Sequence, residues 1–196
     1  MRLLKLLLVL FVCVAEPAVA GPFEDAEAAY NKGDHTTAVR LLRPLAEKSD
    51  ADAQYQLGRM YSSGEGVSQD EAAAMSWYRK AAERGSADAQ RHLGIVYDGG
   101  LGVPQDYETA VSWLRRAAEQ GDSASQYILG LKYGLGREGV PRDVVQAHKW
   151  LNLSATDPKN IVVAAKARES LAKEMTPAQI EEAQRLAREW KPKPER

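Results

Sequence analysis

The sequence predicts an all-α solenoid, an array of stacked helix pairs, from three observations. One segment is repeated three times, beginning at Ala53, Ala89 and Ser125, at intervals of 36 residues. Within each copy, small and apolar residues recur at helical spacing. The chain has a single cysteine, Cys13, so stacked apolar faces and not disulfides must stabilise the rest of the protein.

Residues 1–20 have the three parts of a cleavable signal peptide. A basic start is followed by an apolar core, residues 6–14, which is too short to span a bilayer permanently, and by a small-residue cleavage signature at residues 18–20. We expect a protein exported to the periplasm that begins at Gly21, with an uncleaved anchor as the alternative. Cys13 lies inside this segment, so the predicted mature chain has no thiol chemistry.

A shortened first repeat is predicted for residues 21–52. Its helices are expected at residues 23–31 and 35–48, and Asp34 lies 36 residues before an equivalent aspartate, so the repeat frame is kept. Pro44 falls inside the second of these helices and should kink it. The sequence offers no reason for this interruption.

Repeats one, two and three are predicted at residues 53–88, 89–124 and 125–156. Each begins with a helix that carries Leu-Gly and, three residues later, Tyr. A glycine in mid-helix costs about 1 kcal/mol relative to alanine. Its recurrence therefore predicts that a neighbouring helix crosses too closely for a Cβ. These glycines are Gly58, Gly94 and Gly130.

The second helix of each repeat is predicted to begin at an aspartate that caps it. A Gly-x-Gly-Val loop precedes the helix in repeats one and two, and a loop of this kind suits positive φ. Alanine and tryptophan then recur at helical spacing, and we expect the tryptophan to fill the space between repeats. The caps are Asp70, Asp106 and Asp143, and the tryptophans of the first two repeats are Trp77 and Trp113.

The C-terminal residues 157–190 leave the repeat pattern and predict two capping helices. Asp157, followed by proline, is expected to open one helix that runs to residue 174, and a Thr-Pro-Ala-Gln capping box opens another at residues 177–190. Both helices are amphipathic and suit the apolar end of a stack. The alternative is a pair that binds a partner or a membrane surface. Residues 191–196 are predicted to be a disordered tail.

The repeats resemble the Sel-1-like repeat family, a branch of the tetratricopeptide-like helical repeats. The resemblance covers residues 53–155 and rests on the pattern A-x-x-x-L-G-x-x-Y, G-x-G-V and D-x-x-x-A-x-x-W-Y-x-K-A-A, which repeat one matches at nearly every position. Repeat three has one extra loop residue and lacks the closing glycine. The resemblance implies antiparallel helix pairs in a right-handed superhelix that binds peptides or proteins, and it implies no catalysis.

No catalytic, cofactor-binding or metal-binding residues are predicted. The histidines, His35, His92 and His148, lie in different repeats without ligand spacing, and the glycine loops lack the Lys-Ser/Thr of a phosphate-binding loop. Acidic residues outnumber basic ones in the first half of the mature chain, and the reverse holds in the second half. This asymmetry indicates either a polarised docking surface or drift in composition, and it does not indicate nucleic-acid binding.

The candidate binding site is the concave face, which the first helix of each pair lines in helical solenoids. Positions of that helix outside the Leu-Gly-Tyr motif are expected to face solvent, and tyrosine and arginine among them are typical of binding hot spots. The alternative is that these side chains only cover neighbouring helices. The residues are Glu27, Tyr30, Tyr55, Arg59, Arg91, Ile95, Tyr127 and Leu131.

The leading functional hypothesis is a non-enzymatic, monomeric periplasmic adaptor that binds a protein or peptide along the concave face. It predicts no cofactor, no nucleic acid and no stable membrane insertion after signal cleavage. A structural subunit of an envelope or secretion complex, which holds its partner by the ends or the convex surface, is the alternative. A cell-wall-acting enzyme is the third class considered.

Overall fold

The computed structural model describes residues 21–137 and 139–195, so the predicted signal peptide lies outside the described residues. The described residues form ten helices. These are α1 (Pro22–Asn31), α2 (His35–Glu47), α3 (Ala51–Ser63), α4 (Glu71–Glu83), α5 (Ala87–Gly99), α6 (Tyr107–Glu119), α7 (Ser123–Leu135), α8 (Val144–Ser154), α9 (Ile161–Ala172) and α10 (Pro177–Glu189). None of these helices is both long and apolar enough to cross a membrane.

The helices form the all-α solenoid that the 36-residue period predicts. Each helix from α1 to α8 packs against the next one in the chain, and α10 packs back against α8. The apolar core follows the stack as three clusters of buried side chains, one at each end and one in the middle. The helix α2 continues through the exposed Pro44 to Glu47.

The aspartates predicted to begin the second helices do so. The Asp70 carboxylate accepts a hydrogen bond from the backbone N–H of Ala73 at 2.9 Å, and Asp106 accepts one from Thr109 at 3.0 Å. Asp143 caps α8 in the same way. Each cap satisfies a backbone donor that the first turn leaves free and stabilises the helix by about 1 kcal/mol. The caps therefore define where each helix pair turns.

The mid-helix glycines lie where the second helix of each pair crosses the first, as predicted. A Cβ on Gly94 would lie 2.6 Å from Cγ of Leu114, and a Cβ on Gly130 would lie 2.7 Å from Cγ of Leu151. Gly58 meets the ring of a tyrosine at the equivalent position. A larger residue at any of these positions would force the two helices apart, because a packed interior yields little.

The prediction that Trp77 and Trp113 fill the space between repeats holds only in part, because each packs against the preceding hydrophobic cluster without being fully buried. Both side chains are only partly buried, whereas the next residue in each helix, Tyr78 or Leu114, is buried against the mid-helix glycine. The side chain that follows the tryptophan packs against the mid-helix glycine, where the two helices cross. The indole itself lies at the edge of the helix pair. The Lys80 ammonium lies 4.2 Å from the ring centroid of Trp77, within the range of a cation–π contact.

A buried glutamine near the start of each first helix escaped the sequence analysis. Gln54 Nε2 donates a hydrogen bond to the backbone oxygen of Ala46 at 2.9 Å. This carbonyl is in the last turn of the preceding helix, where its oxygen accepts the backbone N–H of Ser49 at 3.0 Å and has room for a second donor. The same bond joins Gln90 to Ala82 and Gln126 to Ala118. The 36-residue recurrence of Ala-Gln or Ser-Gln was the available sequence signal.

The helix predicted to open at Asp157 begins later, at Ile161. The Asp157 carboxylate instead accepts a hydrogen bond from the backbone N–H of Lys159 at 2.8 Å and another from the hydroxyl of Ser123. These bonds fold residues 157–160 into a turn and tie it to the start of α7. A local side-chain bond to the backbone competes with helix formation here.

After α9, the structure has the predicted capping box but not the predicted disordered tail. The capping box is present at α10, with Thr176 accepting from the backbone N–H of Gln179 at 3.3 Å and donating its own N–H back at 2.9 Å. The prediction of a disordered tail is wrong for residues 191–195, which lie along the repeats. There the Lys193 N–H donates to the backbone oxygen of Glu119 at 2.8 Å.

Candidate functional site

The eight residues predicted for the concave face all lie on the first helices, α1, α3, α5 and α7. They do not form one uniform row. The structure divides them into an open group at the N-terminal end, an ion-paired group in the middle and a packed group near the C-terminal end. The face therefore changes character along the solenoid.

The N-terminal group forms a pocket between α1 and α3. Glu27, Tyr30 and Arg59 line a cavity of about 130 Å³ that also includes the buried Met60. The Tyr30 hydroxyl donates to the carboxylate of Glu65 at 3.0 Å, and this bond raises the pKa of Tyr30 and lowers that of Glu65. A pocket with a partly apolar lining and a charged rim suits one side chain of a bound peptide.

In the middle group, ion pairs hold the arginine side chain in place. The Arg91 guanidinium forms ion pairs with Asp88 on its own helix and with Asp122, the N-cap of α7. Arg91 therefore joins two repeats and is less available to a partner than the sequence analysis expected. Ile95, one turn further on, keeps 43% of its surface exposed.

Tyr55 belongs to a stack of three rings between repeats one and two. Its ring centroid lies 5.7 Å from that of Tyr78, which in turn lies 4.0 Å from that of His92. Burial raises the pKa of Tyr55, raises that of Tyr78 to about 12 and lowers that of His92. The three rings are thus neutral at neutral pH and act as packing groups, with Tyr78 buried between the partly exposed Tyr55 and His92.

Tyr127 and Leu131 do not face solvent as expected. Both are half-buried and pack against the C-terminal hydrophobic cluster, whose members include Trp150 and Leu171. An apolar side chain beside a large cluster gains free energy by leaving water. The alternative that these positions cover neighbouring surface fits this end of the molecule.

The histidines lie apart, and within residues 21–137 and 139–195 no group of three His, Cys, Asp or Glu side chains lies close enough to hold a metal ion. His148 is buried in α8, where burial and then the charge of Arg168 lower its pKa. A buried neutral imidazole of this kind contributes to packing.

A second polar site, which the sequence analysis missed, involves the C-terminal segment 191–195. The Glu195 carboxylate accepts hydrogen bonds from Arg116 Nε at 3.0 Å and from Gln90 Nε2 at 2.9 Å. The bond from Arg116 lowers the pKa of Glu195. The repeats therefore already hold one segment of the chain through its glutamate.

The residues that surround Glu195 form a groove at the turns between repeats one and two. Gln120 Nε2 donates to Oε1 of Gln90 at 2.9 Å and to the backbone oxygen of Gly85 at 2.9 Å. A Cβ on Gly85 would lie 2.9 Å from Cβ of Glu195, so only glycine leaves room for the segment. We call this site the tail groove; it consists of Gly85, Gln90, Arg116 and Gln120.

The sequence signal for the tail groove was the run Lys-Pro-Lys-Pro-Glu at residues 191–195. Alternate prolines favour the extended polyproline II conformation, which binds in grooves at a low entropy cost. Composition alone could not show where on the repeats such a segment would lie, because the groove is assembled from the turn after α4, from α5 and from the end of α6.

Three segments of the chain, residues 51–86, 87–122 and 123–157, match the model of the Sel1 repeat. The Sel1 repeat protein from Oxalobacter formigenes is 37% identical in a structural match with a TM-score of 0.61, which covers 66% of this chain and 95% of that one. Comparison with curated protein sequences gives no match.

A second similar structure is c5321, a protective antigen present in uropathogenic Escherichia coli strains that displays an SLR fold. It is 30% identical with a TM-score of 0.57, over 86% of this chain and 44% of that chain. This chain thus spans less than half the length of that antigen. Sel1 repeat proteins generally scaffold protein–protein interactions and are typically not enzymes. With three matching repeats over more than half of its length, the chain belongs to the Sel1 repeat family.

Proposed function

We propose that this protein is a non-enzymatic periplasmic adaptor that binds a peptide segment of an envelope protein along the first helices of its solenoid. The signal peptide pattern of residues 1–20 supports export, and the repeat family supports a role in protein binding. The binding end is the N-terminal one, because Arg59 and Glu27 are exposed there whereas Tyr127 and Leu131 are packed.

The observation that carries this proposal is the pocket lined by Glu27, Tyr30 and Arg59. It is concave, partly apolar and bordered by both signs of charge. A peptide side chain in the pocket would bury apolar surface against Met60 while the rim fixes its orientation. Three of the eight predicted residues meet in this pocket.

The test is crosslinking in intact cells followed by purification from the periplasm. The wild-type chain is expected to capture a defined partner, and Arg59→Glu is expected to weaken that complex by about 30-fold, the size of a 2 kcal/mol hot spot. Arg40→Glu makes the same charge change on the exposed surface of α2 and is the control. Equal binding by the two variants would refute a site at this pocket.

Export is tested separately by cell fractionation and N-terminal sequencing. We expect the protein in the periplasmic fraction with Gly21 as its first residue, since cleavage follows the small-residue signature. A protein that retains residues 6–14, or that stays in the cytoplasm, would contradict export while leaving the binding proposal open to its own test.

The second candidate function is a structural subunit that holds its partner by the end of the stack. Its support is an apolar run at the start of α9, where Ile161, Val162 and Val163 are 50%, 75% and 47% exposed. Val162→Lys places a charge on this run without disturbing the core. If that change, and not Arg59→Glu, abolishes capture of the partner, the structural-subunit function replaces the adaptor.

A further inference from the structure

The tail groove has a counterpart one repeat nearer the N-terminus. Subtracting one 36-residue period from its members gives Ser49, Gln54, Lys80 and Arg84, and all four line one open pocket of about 370 Å³. We call this site the neighbour pocket. Lys80 and Arg84, which stand in place of Arg116 and Gln120, are both exposed, and they share the pocket lining with the carboxylates of Glu47 and Glu83.

The two sites share their construction as well as their positions. Arg116 lies with its Cζ 4.6 Å from the ring centroid of Trp113, and the Lys80 ammonium lies 4.2 Å from that of Trp77. In each site a cation therefore rests on the tryptophan that begins the same helical turn. The half-exposed tryptophans thus hold the cations at the mouths of both sites.

The sites differ in one hydrogen bond. In the tail groove, Oε1 of Gln90 accepts from Gln120. In the neighbour pocket, Oε1 of Gln54 is buried, and among the described residues no donor reaches it. Gln54 is 3% exposed and its amide is oriented by the bond to Ala46. A buried acceptor without a partner costs about 1–3 kcal/mol, so a ligand that brings a donor is favoured here.

An extended peptide supplies what this pocket requires. A free sulfate or carboxylate ion would pair with Lys80 and Arg84 but would bring no hydrogen-bond donor for Gln54. A peptide with an acidic side chain brings a carboxylate and backbone N–H groups together. Residues 193–195 do this in the tail groove, where the Lys193 N–H and the Glu195 carboxylate both form hydrogen bonds with the repeats.

The spacing of the two sites also suits an extended chain. Pro192 lies 3.9 Å from the Cβ position of Gly121, and Glu195 contacts Gly85, so three residues of the segment advance by one repeat. A polyproline II chain rises about 3.1 Å per residue, or about 9 Å in three residues. In the C-terminal segment, residues 192–195 cover this step of one repeat.

We propose that Gln54, Lys80 and Arg84 form a binding site for an extended, proline-containing segment of a partner protein that carries a glutamate, held in the way that the tail groove holds Glu195. This site lies at the turns between repeats and not in the pocket lined by Tyr30 and Arg59. It is independent of the adaptor proposal, and its test can fail or succeed without affecting that one.

The test uses the purified chain and a fluorescein-labelled peptide, Trp-Lys-Pro-Lys-Pro-Glu with an amidated C-terminus, whose binding is followed by fluorescence anisotropy. We expect saturable binding that falls at least tenfold in the double variant Lys80→Glu/Arg84→Glu, and at least tenfold when the peptide glutamate is replaced by glutamine. The double variant Lys166→Glu/Lys173→Glu carries the same charge change on exposed positions of α9 and is expected to bind as the wild type does.

Three results would overturn the proposal. The first is no saturable binding, or equal binding by both charge-reversed variants. The second is that Arg116→Glu loses binding whereas Lys80→Glu/Arg84→Glu keeps it. The peptide would then have displaced the chain's own C-terminal segment from the tail groove. The third is full competition by sodium glutamate at the peptide's concentration, which would reduce the pocket to an anion site. Melting temperatures of all variants, unchanged within about 2 °C, exclude misfolding as the cause.

Discussion

The tryptophans of repeats one and two differ from the tryptophan of repeat three, although all three occupy the same motif position. Trp77 and Trp113 are half-exposed and carry a cation on their rings. Trp150 is 3% exposed and lies in the C-terminal cluster, with its ring centroid 6.4 Å from that of Trp190 in an edge-to-face arrangement. The motif residue is the same, but its surroundings are not.

The difference follows from what packs against the second helix. In the interior repeats the rim of that helix stays open, so the indole covers only part of its surface. After α8 the chain adds α9 and α10, and both pack against α8. A terminal repeat must have its apolar side covered, and this cover converts a surface tryptophan into a core residue. The comparison can be tested by substitutions at matched positions.

Trp150→Ala should have the largest effect. The side chain is buried, so its loss should lower the free energy of unfolding by about 3–5 kcal/mol, the range for deleting a large core aromatic. Trp77→Ala should cost less, because part of the indole surface already meets water. Urea denaturation measures both. Equal losses would mean that the tryptophans have the same role in all repeats.

Gly130→Ala should have the next largest effect. The added Cβ would lie 2.7 Å from Cγ of Leu151, so the helix pair must move apart at a cost of about 1–3 kcal/mol. Gly134 is on the same helix, where a Cβ would meet Ala147 at an ordinary 3.7 Å. Gly134→Ala should therefore stabilise the protein by up to about 1 kcal/mol. Thermal unfolding of the two variants gives the sign of each effect.

Tyr133→Phe should have a smaller effect that again separates the two ends of the array. The Tyr133 hydroxyl accepts a hydrogen bond from Arg115 and the side chain is 8% exposed, so its loss should cost about 1 kcal/mol. Tyr61 accepts the equivalent bond from Arg43 at 3.1 Å in a more exposed place. Tyr61→Phe should change stability by less than about 0.5 kcal/mol. A larger loss at Tyr61 would reverse the comparison.

Acidification should release the C-terminal segment from the repeats, and this is the smallest of the expected effects. The pKa of Glu195 is lowered in the folded protein, so docking is complete above the ordinary glutamate pKa of about 4.3 and is lost as the pH falls further. A partly exposed ion pair contributes up to about 1 kcal/mol. Hydrogen exchange at the Lys193 amide should therefore rise up to about fivefold, after correction for the intrinsic rate.

Glu195→Gln provides the control for this last prediction. The variant should show the faster corrected exchange at neutral pH and no further change on acidification, because its amide does not titrate in this range. Corrected exchange at Lys193 that stays constant from pH 7 to pH 3 in the wild-type chain would show that backbone contacts alone hold the segment.

Local patterns predicted the elements better than they predicted the surfaces. The caps at Asp70, Asp106 and Asp143 were correct, because a cap depends on residues that are three apart in sequence. Asp157 misled for the same reason: it satisfied a local cap rule, but Ser123 and Lys159 engage its carboxylate in a turn. A local bond from the Lys159 backbone and a contact with the distant Ser123 together overrode the cap preference there.

For the candidate site, too, local patterns predicted the position of each residue on its helix but not its contacts with other helices. The sequence placed all eight predicted residues on the first helices, because helical periodicity determines which positions share a face. It could not predict that Arg91 pairs with Asp122 or that Leu131 packs against the C-terminal cluster. The exposure of a side chain depends on which neighbouring helix lies alongside it, and the repeat motif does not predict that neighbour.

By itself, the sequence determined that this protein is a helical repeat array, where its helix pairs turn, and why glycine is required at their crossings. These features recur with the period and depend on short-range geometry. Only the tertiary structure decided which side chains of the recurring motif are buried and which are exposed. It also decided that residues 191–195 lie against repeats one and two, because that contact joins residues about a hundred positions apart in the chain, and no local spacing encodes it.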